Sequence, residues 1–391
     1  MDFRSANGDA ARSHGGAQIR ALKLAFCLFK YFPYGGMQRD FLRIARACRR
    51  RGHEIHVYTL EWQGARANEF DVSIVAARGI TNHQRYSAFS EFFAGRRREY
   101  DATIGFNKMP GLDVYYAADS CFKEQLESGR LGLYALSRRH NRFVEFERAV
   151  FDEQARTEIL LLSGSEIEVY TRHYNTPRAR VHLMPPPPLP VAPNRESARQ
   201  EVRLEFAIAE PDKLVLMVGS GFKTKGLDRA LAALSTLPQD LLQRTHFLVI
   251  GEDNPRDFAK AARRLRVSMR LLGGRDDVPR FLAAADLLLH PAYRENTGTV
   301  LLEAMASGVP VLTTDTCGFA FHVREARGGH VVASPFKQED LNARLLEMLT
   351  SEQNFGENGV RYIASLAFPS LAETAADIIE AKALASREQR D

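Results

Sequence analysis

Short apolar runs alternate along the chain with longer segments whose apolar positions recur at helical spacing. In the first half, runs typical of buried parallel strands lie at 22–29, 53–60, 102–106 and 158–163. A helix is predicted between the first two runs, from about Met37 to Arg51. This succession of strands and helices predicts an α/β unit built on a parallel sheet.

The second half of the chain repeats the same alternation. Its apolar runs lie at 214–219, 246–251, 269–273, 287–290 and 309–314. Helices are predicted from about Gly226 and from Thr297-Gly298 to Ser307-Gly308, the latter ending before Pro310. A further helical stretch covers residues 371–387.

A proline cluster, VHLMPPPPLPVAP at 181–193, separates the halves and cannot continue a helix or a central strand. The first eighteen residues are polar and rich in Gly, Ser and Ala, which predicts disorder. The expected fold class is α/β with two facing Rossmann-like domains. The predicted segments are a disordered extension at 1–18, an N-terminal domain at 19–187, a C-terminal domain at 188–368 and a terminal helix at 369–391.

The composition is that of an ordinary globular protein, with 391 residues, 45% apolar and 26% charged. No run of eighteen apolar residues predicts a membrane span or a convincing signal segment. The cysteines are scattered, without a C-x-x-C pair, at Cys27, Cys48, Cys121 and Cys317. We therefore expect reduced thiols in a cytosolic protein rather than a disulfide framework or a zinc site.

Positive charge is concentrated in the first half of the chain. Residues 1–185 hold 28 Lys and Arg against 21 Asp and Glu, a balance of +7, whereas the rest hold 25 against 27, a balance of −2. Nucleic acid, an anionic membrane surface or a phosphorylated acceptor would each match this field. No nucleic-acid module is recognised and the basic residues are not interleaved with stacking aromatics, so nucleic acid is not expected.

Two glutamates bracket the start of the helix predicted near Gly298. Glu295 lies in the preceding loop, and Glu303 lies within the helix, where side chains lean toward the N-terminus. Both carboxylates can flank the volume into which the first backbone N–H groups point. Helix starts favour phosphate, and carboxylates accept hydrogen bonds from hydroxyl groups. The spacing predicts a site for a sugar attached to a phosphate.

Two glycine-rich turns add phosphate-binding groups. Gly35-Gly36 joins the first strand to its helix, and VGSGFKTKGLDR at 218–229 leaves a strand and enters a helix. Lys225 is placed to pair with a phosphate oxygen. No D-x-D pair or histidine cluster offers a metal site, so lysine, backbone amides and a helix dipole are expected to replace a metal. Arg275 either stacks on a nucleotide base or is an exposed loop arginine.

The motifs AFCLFKYFPYGGMQRDFLRIA (25–45), GFNKMPGLDVYYAAD (105–119) and LLLHPAY…LLEA (287–304) resemble lipopolysaccharide core glucosyltransferases I. These belong to retaining glycosyltransferase family 4 and have the GT-B fold. The resemblance implies a UDP-sugar donor, most simply UDP-glucose, without a cofactor or metal. It also implies a lipopolysaccharide inner-core heptose acceptor, and a peripheral location on the cytoplasmic face of the inner membrane. The terminal helix would cross back to the first domain.

The resemblance also implies roles for individual residues. Donor-binding residues are Gly35, Gly36, Ser220, Lys223, Thr224, Lys225, Arg275, Glu295, Asn296, Thr297, Gly298, Thr299, Val300 and Glu303. Catalytic candidates are Glu295, Lys225, Asp119, Asp113 and Asp40, and the acceptor side would be lined by Lys108, Asn107 and Asp40. The sequence nominates no carboxylate nucleophile, which favours a front-face substitution in which the departing phosphate accepts the acceptor's proton.

Three departures from the family pattern stand out. The first twenty residues are extra, and Thr224 replaces an arginine whose charge Lys223 would have to supply. The segment ENTG at 295–298 differs from the small apolar residues expected beside glucose, so an N-acetylhexosamine donor stays open. Another lipid-linked glycan acceptor, and an inactive sugar-nucleotide-binding protein, are the remaining alternatives.

A basic and apolar segment follows the acceptor-side motif. Its four arginines are Arg130, Arg138, Arg139 and Arg142, interspersed with leucines and a tyrosine. Each cation near an anionic leaflet contributes about 1 kcal/mol. The segment therefore predicts an interfacial membrane contact, with solvated arginines as the simpler interpretation.

Overall fold

The computed structural model describes residues 21–33, 35–127, 138–190, 193–366 and 369–389. The strands are β1 (Lys23–Cys27), β2 (Lys30–Tyr31), β3 (Glu54–Thr59), β4 (Glu61–Trp62), β5 (Asp71–Ile74), β6 (Ala102–Gly105), β7 (Val114–Ala117), β8 (Glu158–Leu161), β9 (Val181–Leu183), β10 (Lys213–Val218), β11 (Thr245–Ile250), β12 (Ser268–Leu271), β13 (Leu287–His290), β14 (Val311–Thr314) and β15 (Gly329–Val332). The predicted extension at 1–18 and Arg130 lie outside the described residues.

Helices separate the strands along the chain. They are α1 (Gly36–Arg50), α2 (Asn82–Ala94), α3 (Phe122–Glu127), α4 (Arg138–Phe151), α5 (Ser165–Tyr174), α6 (Arg195–Phe206), α7 (Leu227–Leu234), α8 (Gln239–Gln243), α9 (Arg256–Arg264), α10 (Val278–Ala284), α11 (Thr299–Ala306), α12 (Ala320–Ala326), α13 (Gln338–Thr350), α14 (Phe355–Ser365) and α15 (Leu371–Glu388). No helix among the described residues is long and apolar enough to cross a bilayer.

Two parallel sheets organise the described chain, as the alternating pattern predicted. One has seven strands in the order β5-β3-β1-β6-β7-β8-β9, and the other has six in the order β12-β11-β10-β13-β14-β15. We call the elements around these sheets the N-terminal unit and the C-terminal unit. In both, central strands such as β1 and β13 are buried on both faces, because helices cover both sides of the sheet. The α/β fold class is confirmed.

The proline cluster contains a strand that the sequence did not predict. Val181–Leu183, at the beginning of the predicted linker, is β9 and pairs in parallel with β8. The pairing is possible because β9 is an edge strand that ends before the first proline, Pro185. The strand is compatible with the expectation that the cluster cannot continue a central strand, because β9 lies at the edge of its sheet.

The last helix, α15, packs on the N-terminal unit although it follows the C-terminal unit in the chain. Leu371, Ala375 and Ile379 are buried in the same hydrophobic cluster as the first strands. Polar contacts fix the helix at its rim, where Arg51 pairs with Glu380 over 2.9 Å. His53, which is fully buried, lies 2.7 Å from the other oxygen of Glu380. The two halves of the chain are thus linked by more than the 184–194 connection.

Candidate functional site

The centre of the site is a three-residue polar cluster at the carboxyl ends of β10 and β13. The ammonium group of Lys225 contacts Oε2 of Glu295 directly, and Nε2 of His290 lies 3.3 Å from the same oxygen. Burial raises the pKa of the Glu295 carboxyl, but the hydrogen bond with His290 and the charge of Lys225 hold it at about 2. The carboxyl of Glu295 is therefore ionised at neutral pH and can accept hydrogen bonds.

Gly226 lets the Lys225 loop approach the Glu295 loop closely. Its φ is +81°, and a Cβ there would lie 2.0 Å from the carbonyl oxygen of Pro291. The backbone N–H of Tyr293 also donates to the carbonyl of Thr224 over 2.9 Å. Only glycine fits both the left-handed conformation and this contact, which explains the glycine directly after the lysine.

The predicted glutamate pair lies around the start of α11. Gly298, with φ +78°, is the residue before the helix, and Glu303 lies in its second turn. Burial raises the pKa of the Glu303 carboxyl, while the charges of Arg39 and Arg43 on α1 oppose this rise. Both arginines belong to the N-terminal unit, so charges of that unit act on a carboxyl of the C-terminal unit. Thr299 and Val300, in the first turn of α11, are half-buried.

The loop before α1 supplies the opposite wall. A Cβ on Gly36 would meet no atom within 4 Å, so the start of α1 borders open space. Asp40, one turn later, is buried and accepts a hydrogen bond from Tyr116 over 2.7 Å and pairs with Arg43 over 3.0 Å. Burial raises the pKa of Asp40, with these partners opposing the rise. The carboxylate of Asp40 is thus engaged by neighbours in its own unit.

Asn296 connects the two units. Its Nδ2 atom donates to the carbonyl oxygens of Ala117 over 3.1 Å and Ala118 over 2.8 Å, at the end of β7. Thr297 contributes a carbonyl that accepts from the N–H of Phe319 over 2.7 Å. The loop that carries Glu295 is therefore held both by its own unit and by the N-terminal unit.

Two predicted acceptor-side residues are engaged in internal contacts. Lys108 is buried, and its Nζ lies 2.5 Å from Glu147 Oε2 and 2.8 Å from the carbonyl of Ser120. Its charge is therefore neutralised and unavailable to an acceptor phosphate in this structure. Asn107 accepts from the N–H of Phe29 over 2.7 Å, which ties the β6 loop to the β1 loop.

Asp113 does not reach the site. It precedes β7 and so lies at the amino-terminal edge of the sheet, opposite the glycine loops. Its carboxylate pairs with Arg97 over 2.7 Å and accepts from the N–H of Thr103 over 2.9 Å. The resemblance named Asp113 or Asp119, and the structure places only Asp119 at the carboxyl edge, where it is exposed.

The remaining donor-side candidates are distributed around the β10 and β12 loops. Ser220 Oγ accepts from the N–H of Glu252 over 3.0 Å, and Lys223 pairs with Asp228 over 2.5 Å. Lys223 therefore does not stand free to replace the charge missing at Thr224. Arg275 pairs with Asp277 over 2.6 Å and lies 4.8 Å from the ring of Phe281. Its planar group is thus held by residues at the start of α10.

Of the predicted membrane arginines, Arg139 and Arg142 are exposed on α4. Arg142 pairs with Glu145 over 3.0 Å, and the Arg139 guanidinium lies 5.8 Å from the Phe143 ring. Arg138 is the first residue of this helix. No group of three or more His, Cys, Asp or Glu side chains is placed to hold a metal ion within the ranges that the structure covers.

His290 was assigned no role from the sequence but belongs to the central cluster. It is fully buried, and its Nδ1 has no hydrogen-bond partner among the described residues. The signal was its position as the last residue of β13, five residues before Glu295, at the sheet edge where ligands bind in α/β folds.

Comparisons with known proteins bear on this geometry. A family model described as Glycosyl transferases group 1 matches residues 198–362, which include Lys225, Glu295 and Glu303. The chain is 42% identical to the lipopolysaccharide glucosyltransferase WaaG of Escherichia coli strain K12, over 91% of this chain and 98% of that protein. A crystal structure of WaaG, a glycosyltransferase involved in lipopolysaccharide biosynthesis, superposes with a TM-score of 0.87 at 42% identity, covering 91% of this chain and 99% of that one. Anabaena HepE, solved with UDP-glucose, shares the fold, with a TM-score of 0.67 at 17% identity over 94% of this chain and 99% of that one.

Proposed function

The chain belongs to the glycosyl transferases of group 1, as its motifs predicted, and from this premise we propose that it transfers glucose from UDP-glucose to the inner-core heptose of lipopolysaccharide. The observation that carries the proposal is the Lys225–Glu295–His290 cluster beside the start of α11. It combines a phosphate-binding cation, a charged acceptor for sugar hydroxyls and a helix start within one small volume. Similarity to a lipopolysaccharide glucosyltransferase over nearly its whole length supports the substrate assignment.

Donor binding would rearrange the central cluster. Lys225 pairs with Glu295 in this structure, and a diphosphate would compete for the lysine's ammonium group. Glu295 would keep its contact with His290 and accept hydrogen bonds from the sugar, because its carboxylate stays charged. Glu303, in the second turn of α11, would bind the ribose. The lysine, the N-terminus of α11 and the loop amides would then stabilise charge on the departing UDP without requiring a metal.

The contacts around Glu295 support a front-face substitution. A double displacement requires a carboxylate nucleophile beneath the anomeric carbon. Glu295 is held by Lys225 and His290, and Asp40 is held by Tyr116 and Arg43. Departing phosphate oxygen would accept the proton of the acceptor hydroxyl as the new glycosidic bond forms and the sugar–phosphate bond breaks, with retention of configuration. A trapped covalent glycosyl-enzyme in any single-carboxylate variant would contradict this mechanism.

Donor choice is tested by thermal stabilisation with UDP-glucose, UDP-galactose, UDP-N-acetylglucosamine and UDP-N-acetylgalactosamine at equal concentration. We expect the largest rise in melting temperature with UDP-glucose. Asn296, whose presence in ENTG left the donor open, is bonded to the N-terminal unit, so its polarity does not require an N-acetyl group. Transfer to lipopolysaccharide lacking the first core hexose, followed by analysis of the product linkage, tests the acceptor. No stabilisation by any UDP-sugar or by UDP would refute the proposal.

A peripheral location at the cytoplasmic face of the inner membrane is part of the same proposal, since the acceptor is lipid-anchored. Exposed Arg139 and Arg142 would contact anionic headgroups. We expect Arg139→Glu with Arg142→Glu to weaken sedimentation with phosphatidylglycerol vesicles. Arg263→Glu with Arg264→Glu, an equal charge change at exposed positions of α9, should leave it unchanged. Equal vesicle binding by both double variants would contradict the α4 contact.

A further inference from the structure

Two consecutive residues of one loop bind opposite units of the molecule. Glu295 contacts Lys225 and His290 within the C-terminal unit. The next residue, Asn296, donates both hydrogen bonds of its Nδ2 group to carbonyl oxygens of the N-terminal unit, at 3.1 and 2.8 Å. A movement of the loop that carries Glu295 and Asn296 would therefore change the contacts between the two units directly.

The two carbonyl oxygens that accept these hydrogen bonds lie next to the part of the cleft where we expect the acceptor substrate to bind. Ala117 is the last residue of β7, Ala118 follows it, and the exposed Asp119 comes next. The bonds thus end at the carboxyl edge of the first sheet. Asn296 fixes the distance between this edge and the loop that holds Glu295.

The backbone shows the same close approach independently. A Cβ placed on Gly318 would lie 2.0 Å from the carbonyl oxygen of Asn296 and 2.7 Å from Oγ of Ser163 in the N-terminal unit. The N–H of Gly318 donates to the carbonyl of Glu295 over 3.1 Å. A side chain at position 318 would therefore push the units apart at this point.

The other polar atom of the Asn296 side chain is left without a partner. Its Oδ1 is buried and accepts no hydrogen bond from the described residues. A buried acceptor without a donor destabilises the structure that contains it. A sugar hydroxyl bound next to Glu295 is a donor of the chemistry that this oxygen lacks.

We infer that Asn296 couples occupation of the sugar site to the approach of the two units. Its Oδ1 accepts a hydrogen bond from a hydroxyl of the bound sugar, while its Nδ2 holds the carbonyls of Ala117 and Ala118. Asn296 is a positioning residue: its Nδ2 holds the two units at this distance, and a bound sugar would favour the same arrangement further by pairing with its Oδ1. The identity of the sugar nucleotide used below rests on the proposed function, but the bonds to the N-terminal unit do not.

The test compares Asn296→Ala with Asn358→Ala, a matched control on α14 whose amide donates to the carbonyl of Arg327 over 3.2 Å. Small-angle scattering measures the radius of gyration without ligand, with UDP and with UDP-glucose. We expect the wild type and the control to contract more with UDP-glucose than with UDP, and Asn296→Ala to respond equally to both. The kcat of Asn296→Ala should fall by about tenfold or more, since misplacing reacting groups is costly. Its Kd for UDP should stay within about twofold of the wild-type value, because UDP lacks the sugar.

Asn296→Asp separates the two halves of the inference. Aspartate keeps an oxygen that can accept a hydrogen bond from the sugar, but its other carboxylate oxygen would repel the two carbonyl oxygens. We therefore expect Asn296→Asp to reduce both the contraction and kcat at least as much as Asn296→Ala does. Wild-type contraction and kcat in Asn296→Ala would overturn the inference, as would an equal loss of affinity for UDP and UDP-glucose. If UDP-glucose fails to stabilise the wild type, the proposed function fails. The scattering measurement without ligand then decides whether Asn296 holds the two units together. If it does, Asn296→Ala must still have a larger radius of gyration than the control.

Discussion

Glu295 shows how a buried carboxylate can be kept for binding rather than for proton transfer. Its side chain is only 15% exposed, an environment that favours the neutral acid. The nearby ammonium group and imidazole reverse that preference and hold its pKa at about 2. Lys225 and Glu295 thus keep each other charged in a buried environment, as the proposed binding of a phosphate and a sugar requires.

Removing the cation of Lys225 should reduce turnover without unfolding the protein. We expect Lys225→Ala to lower kcat by about a hundredfold to a thousandfold, the usual loss when one donor to developing charge is removed. Lys260→Ala, at an exposed position on α9, is the matched control and should retain kcat. The measurement is steady-state transfer with UDP-glucose, together with the melting temperature of each variant. Wild-type turnover in Lys225→Ala would remove the lysine from the donor site.

Ionisation of Glu295 should also contribute to stability in a pH-dependent way. Its folded pKa of about 2 lies below the ordinary value of 4.5, so the contribution is present above pH 4.5 and is lost as the pH falls toward 2. A shift of this size corresponds to at most about 3 kcal/mol. The free energy of unfolding of the wild type should therefore exceed that of Glu295→Gln at pH 6, and the gap should narrow between pH 5 and 2. A gap that is constant over this range would contradict the lowered pKa.

At the scale of elements, the contact between two loops depends on one glycine. Gly226→Ala would add both left-handed strain, about 1–2 kcal/mol, and a clash with the carbonyl of Pro291. Gly52→Ala is the control, because Gly52 has φ +91° but an added Cβ there would meet no atom within 4 Å. This variant therefore adds the left-handed strain without a clash. We expect Gly226→Ala to lower the melting temperature more than Gly52→Ala, and to lower donor affinity as well. Equal melting temperatures, with donor binding intact, would show that the loops need not touch.

The sequence predicted most central strands, although it missed the fully buried β7, and among the edge strands of the two large sheets it predicted only β12. The apolar runs of β1, β10 and β13 are buried on both faces, so nearly every residue carries the signal. β5 and β15 are half-exposed edge strands with mixed residues, and neither was predicted. Their structure depends on pairing with a neighbour, which no local pattern records.

The residues of the candidate site also differ in how far the sequence predicted their positions. Glu295 and Glu303 bracket one helix start, where their local spacing indicates that they lie close together. Lys225 is 70 residues from Glu295, and the sequence pointed to it only through its glycine-rich loop and the family resemblance. Lys108 could not be read correctly, because its partner Glu147 is 39 residues away on α4 and only the fold brings them together. Burial of this pair, and of His290, is a property of tertiary packing that the sequence pattern does not contain.

At the scale of the whole molecule, α15 makes the stability of the N-terminal unit depend on the far end of the chain. Glu380, whose side chain is 11% exposed, pairs with Arg51 and lies against buried His53. Glu380→Ala removes the shared partner and should lower the free energy of unfolding by about 3 kcal/mol. Asp377→Ala removes a carboxylate that is 69% exposed from the same arginine and should change it by less than about 1 kcal/mol. Urea unfolding of both variants is the measurement, and similar effects would show that α15 is not held through Glu380.

The packing of α15 on the N-terminal unit also determines when that unit can complete its fold during synthesis. Domains generally fold one after another as a chain emerges from the ribosome, beginning at the N-terminus. Here the cluster around β1 lacks Leu371, Ala375 and Ile379 until the C-terminal unit has been translated. The nascent first unit would thus expose an apolar groove for most of translation, the kind of surface that chaperones bind. A premature stop codon just before α15 would leave every strand of both sheets present but would permanently remove one helix from the hydrophobic cluster of the N-terminal unit.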